Sequence, residues 1–67
     1  MTEADQILAI LQREIDIELS IAKKAKKMMK ETLNPVMHWR LRKLKNTSID
    51  HAVGIQLAKI LIQKELD

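Results

Sequence analysis

Glu18, Ser48 and His51 are the residues of this 67-residue chain whose types and places invite chemistry. Each interrupts an apolar heptad at a position where Leu or Ile would be expected. Glu14 lies one helical turn before Glu18, near the same face. A carboxylate facing an imidazole fits three kinds of chemistry. It can ligate zinc or iron, work as an acid–base pair, or form a hydrogen-bonded polar layer that sets helix register. One chain offers too few ligands for a metal. A symmetric pair of chains would bring together two Glu18 and two His51, enough for one tetrahedral ion, with Glu14 adding oxygens. No nucleophile accompanies the pair, which weighs against catalysis.

Two helices must position these residues. Thr2 and Asp5 form a capping-box pattern, and nothing breaks a helix from there to Leu33, which predicts helix one over about 3–33. Ala4, Leu8, Leu11, Ile15, Glu18, Ala22, Ala25 and Met29 alternate in steps of four and three, a continuous seam with one charged member. Ile7, Ile10, Ile17, Ile21 and Met28 widen its apolar face beyond what one partner helix would cover. Asn34 and Pro35 suit the N-cap and first position of a new helix, so the turn falls at 34–35. Leu33 is placed to staple against His38 or its neighbours. Helix two is predicted over about 35–65, with Met37, Leu41, Leu44, Ser48, His51, Ile55, Ala58 and Ile62 as its seam. Asn46-Thr47-Ser48 has poor helix propensity and opens the alternative of a kink at 46–48; the preserved heptad phase favours continuity. Gly54 is a helix-interior glycine, explained most simply by a close helix–helix approach.

So short a connection makes the helices antiparallel neighbours. Folding the chain at Asn34 puts Glu18, sixteen residues before it, level with His51, seventeen after it. Ser48 lies one turn nearer the tip. The expected fold is all-α, an antiparallel helical hairpin that dimerises into a four-helix bundle, because a chain this small has a marginal core of its own.

The run Glu14-Ile15-Asp16-Ile17-Glu18, the turn Glu31-Thr32-Leu33-Asn34-Pro35-Val36 and a histidine about sixteen residues after the proline together resemble one hairpin of the ferritin-like, rubrerythrin-type proteins, over residues 12–61. That resemblance implies a hairpin that pairs into a four-helix bundle. It also implies metal ligation, with Glu18 or Glu14 as the helix-one ligand and His51 as the histidine of a Glu-x-x-His motif. Ser48 stands where the bridging Glu of that motif belongs, so the motif is degenerate and the implied site is reduced, at most one iron or zinc ion.

Charge is polarised along the chain. Net charge is +3, and nine of the twelve Lys and Arg fall within 23–45, where Glu31 is the only acid. Lys23, Lys24, Lys26, Lys27, Lys30, Arg40, Arg42, Lys43 and Lys45 therefore surround the turn, with His38 and Trp39 among them. Such a tip suits a polyanion, an anionic membrane surface, or the acidic end of an antiparallel partner carrying Glu3, Asp5, Asp16, Glu65 and Asp67. No helix-turn-helix signature is present, and a lone Trp makes a poor stacking platform for bases. There is no cysteine, no apolar run of membrane-spanning length and no signal-peptide pattern. These features predict a cytoplasmic, non-catalytic self-assembling module. The alternatives are a ferritin-like metal-binding protein and a basic nucleic-acid-associated protein.

Overall fold

A computed structural model describes residues 2–66 as two helices, α1 (Glu3–Glu31) and α2 (Pro35–Leu66), packed along each other as a hairpin. Asp67, counted above among the acids of the open end, lies outside the described residues.

Both helix starts follow from side-chain caps. Thr2 Oγ1 accepts from the Asp5 amide at 3.2 Å, and Asp5 Oδ2 accepts from the Thr2 amide at 3.4 Å, closing a capping box. Asn34 Oδ1 accepts from the amides of Val36 at 2.9 Å and Met37 at 3.2 Å. This satisfies two of the donors that a helix start leaves open. α1 ends at Glu31, with Thr32 in extended geometry and its amide bonded to the Met28 carbonyl. Leu33 makes no staple: it is fully exposed, at 100%. Asn34 and Thr32 close this turn through polar bonds, and Leu33 between them is left in solvent. α2 is helical without interruption through 46–48.

The seam of α1 is the one the heptad names, with Ile15, Ala22 and Ala25 buried and Leu8, Leu11, Glu18 and Met29 half-buried. α2 packs along a different diagonal. Leu41, Ser48, Ile55 and Ile62 belong to it as expected, but the second row is Lys45, Ala52 and Lys59 rather than Leu44, His51 and Ala58. Leu44, His51 and Ala58 are exposed. The physical reason is size. Ala22, Ala25, Ser48 and Ala52 are four of the six buried among the described residues, and small residues allow the helix axes to approach. Lys45 and Lys59 lay long aliphatic stems along the seam. The Lys59 ammonium then bonds Gln12 Oε1 at 2.6 Å.

The hairpin is one helix thick. Its Cα extents are 49 × 18 × 11 Å and its radius of gyration is 15.4 Å, against about 11 Å for a compact chain of this length. The accessible surface is 5450 Å², where a compact 7.8 kDa monomer exposes about 4,400 Å². No large side chain is fully buried among the described residues. A stable fold ordinarily needs two packed layers around a core, and one hairpin supplies a single layer.

Candidate functional site

A slab has two broad faces, and helical spacing assigns residues to each. On one side, Leu11 and Glu18 of α1 share a groove with Asp50, His51, Gly54, Ile55 and Ala58 of α2. On the other, Ile15 and Leu19 share a mainly apolar groove with Ile49, Ala52, Val53, Leu57 and Ile60, and with Gln56 as its polar member. These are called the His51 face and the Ile49 face below.

The His51 face holds the sequence-predicted site. His51 Nδ1 lies 3.7 Å from Glu18 Oε2, an ion-pair distance when the imidazole is protonated and too long for a hydrogen bond. Glu18 is mostly covered, whereas His51 stands at the seam's margin and is largely open. Ser48, 3% exposed, lies inside the seam one turn nearer the tip and does not line the groove that Glu18 and His51 share. Glu14 is exposed one turn towards the open end. Among the described residues, no three His, Asp or Glu side chains converge closely enough to hold a metal ion within one hairpin. The groove also includes Asp50, which the heptad reading passed over because it falls outside the seam. Its position directly before His51 was the available signal.

The wider His51 face is apolar on both sides of its polar middle, where Glu14, Glu18, Asp50 and His51 lie. Ile7, Leu11, Ile21, Ala25 and Met28 lie on it in α1, and Met37, Leu44, Ala58 and Leu61 in α2, with Glu14, Glu18 and His51 interrupting the row at mid-helix. Glu18 and His51 fall close to the middle of their helices. No family model matches the chain, and no curated protein or solved structure matches it either. The functional reading therefore rests on the geometry of the chain itself.

The Ile49 face changes character half-way. Leu19 and Ile49, each fifteen residues from Asn34, end its apolar part; Lys23 and Lys45, each eleven residues from Asn34, begin a basic part. Lys26 and Lys30 extend it on α1, and Arg42 on α2. Lys23, Lys24, Lys26, Lys27 and Lys30 border one shallow depression. Arg40, Arg42 and Lys43 are exposed on α2, and Lys45 is half-buried. The Lys43 ammonium sits 5.2 Å from the centroid of the Trp39 ring, a cation–π distance. Neither helix is long and apolar enough to cross a membrane.

Proposed function

We propose that the protein is a non-catalytic self-assembling module, in which two copies pack antiparallel through their His51 faces into a four-helix bundle. The single observation behind this reading is a one-layer slab that leaves large apolar side chains exposed on both sides of the Glu18–His51 layer. Its surface exceeds that of a compact monomer by roughly 1,000 Å², close to the ~800 Å² that each partner contributes to a standard interface. Charge favours the antiparallel arrangement. A parallel pair would set nine cations of one tip against nine of the other, whereas an antiparallel pair sets each tip beside Glu3, Asp5 and Glu65 of the second copy's open end.

With rods fully overlapped, the two-fold axis passes near the mid-helix layer, so Glu18 and His51 of one copy meet those of the other. A one-turn slip would place a carboxylate against isoleucine with no partner. The layer therefore sets register at a cost in stability. Light scattering on eluting protein tests the reading: a mass near twice 7.8 kDa is expected. A well-folded monomer at all concentrations would overturn it.

The same layer supports a second reading, in keeping with the ferritin-like resemblance. Two Glu18 carboxylates and two His51 imidazoles make a four-ligand set suited to zinc or iron, with Glu14 one turn away. Elemental analysis of untagged protein tests it. Without stoichiometric metal, and with melting unmoved by added zinc or iron, this second reading fails while the bundle stands.

A further inference from the structure

The turn that joins the helices carries its apolar side chains outward. Leu33 is 100% exposed, Val36 61% and Trp39 57%. All three lie within about one helical turn of the extreme tip, a depth of roughly 6 Å along the rod. Cations begin directly behind them, with Lys30 and Lys27 on α1 and Arg40 and Lys43 on α2. An apolar point with a basic collar is the arrangement that enters the boundary between lipid headgroups and acyl chains, to a depth of about 5–10 Å. Trp is favoured at that boundary, where its ring is buried and its N–H stays wet.

The backbone of the turn suits the same environment. The amides of Thr32, Asn34, Val36, Met37 and His38 all donate within the turn, and Pro35 has none to satisfy. Of the turn's amides only that of Leu33 is without a partner, so moving this segment into a water-poor layer strips one unpaired donor of its hydration. A duplex, by contrast, would use the cations but give Leu33 and Val36 nothing to contact. One side of the Trp39 ring is already taken by Lys43, which leaves less of it for base stacking.

We propose that the turn of the hairpin is a docking site for anionic membrane surfaces, in which Leu33, Val36 and Trp39 enter the interface and the surrounding lysines and arginines hold acidic headgroups. This reading does not depend on the dimer. In an antiparallel bundle the acids of the neighbouring open end are partly offset by Arg13, Lys59 and Lys64, so the tip keeps a surplus of positive charge.

Trp39 is the only tryptophan, so it reports its own insertion. The full chain is titrated with vesicles of equimolar phosphatidylcholine and phosphatidylserine, and with phosphatidylcholine alone. The expected result is a blue shift of Trp39 emission, with quenching by lipids brominated high on the acyl chain, only in the anionic vesicles. Leu33→Ser, at a fully exposed position, is expected to weaken partitioning several-fold with an unchanged circular dichroism spectrum. Lys27→Glu with Lys30→Glu is expected to weaken it by at least about 25-fold, at about five-fold per lost cation. An unshifted Trp39 emission in anionic vesicles would overturn the proposal, as would equal partitioning into both vesicle types. Binding to duplex DNA without binding to vesicles would overturn it in favour of nucleic acid. Oligomeric state, measured separately by light scattering, keeps failure of this proposal distinct from failure of the bundle.

Discussion

His51 faces Glu18 across the helix pair at 3.7 Å, yet the two side chains differ sharply in environment, 61% and 21% exposed. A half-solvated pair of this kind contributes at most about 1 kcal/mol to a lone hairpin. In the proposed bundle the same pair would lie beside its symmetry mate and lose water on both sides. His51→Ala would then leave two carboxylates facing each other without an imidazole between them. Urea unfolding at high and low protein concentration should show a loss of about 1–3 kcal/mol for the associated state. A loss under about 0.5 kcal/mol at every concentration would sink the polar-layer reading.

Replacing the whole layer should act in the opposite direction. In the double variant Glu18→Leu, His51→Leu, two desolvated polar groups become apolar packing. Melting temperature is expected to rise, because buried ionic groups are often outperformed by hydrophobic residues of similar volume. Specificity is expected to fall, since in the proposed bundle the layer would penalise a slipped register. Light scattering should show mixed oligomeric states in place of one. A variant that is both more stable and uniquely dimeric would show that register is set elsewhere.

Two exposed residues on opposite faces tell which face is buried on assembly. Leu44 lies on the His51 face and Val53 on the Ile49 face, and neither is covered by the hairpin itself. Leu44→Glu should therefore cost little in the monomer but place a charge in the bundle seam, giving a monomer by light scattering. Val53→Glu should leave the dimer intact. The reverse pattern would move the interface to the Ile49 face.

That choice of face also marks where the sequence stopped being informative. The turn was legible because Asn34-Pro35 has a local cause, a side-chain cap followed by a residue with no amide to satisfy. The level of Glu18 and His51 followed from counting residues away from that turn. The diagonal of α2 was not legible. Leu44 and Ala58 look more like core than Lys45 and Lys59 by polarity, but close approach is decided by Ser48 and Ala52, and lysine stems are apolar along most of their length. The expected staple at Leu33 missed because hydrophobicity alone does not say whether a residue beside a turn points inward. Asp50 lies outside the heptad, which marks the seam and not the groove beside it.

Asn34 is the one side chain on which the turn geometry depends most directly. Asn34→Ala removes the acceptor for two amides, Val36 at 2.9 Å and Met37 at 3.2 Å, and should cost about 1 kcal/mol by thermal or urea unfolding. Asn34→Asp keeps an oxygen in place and adds a negative charge at a helix N-terminus, so its stability should stay within about 0.5 kcal/mol of the parent. Equal losses in both variants would show that backbone geometry, rather than the cap, holds the turn.

An antiparallel bundle carries its two tips at opposite ends of a rod about 49 Å long, the Cα length of one hairpin. If each tip docks on an anionic surface, one dimer touches two membranes at once, and the second contact is strengthened by the first through effective concentration. Vesicles containing phosphatidylserine should therefore cluster on addition of the parent protein, seen as a rise in light scattering that high salt reverses. Leu44→Glu leaves Leu33, Val36, Trp39 and the basic collar untouched, so it should still shift Trp39 emission yet fail to cluster. Clustering by a demonstrably monomeric Leu44→Glu would separate the two ideas, because bridging would then come from a second membrane contact within one hairpin rather than from the bundle.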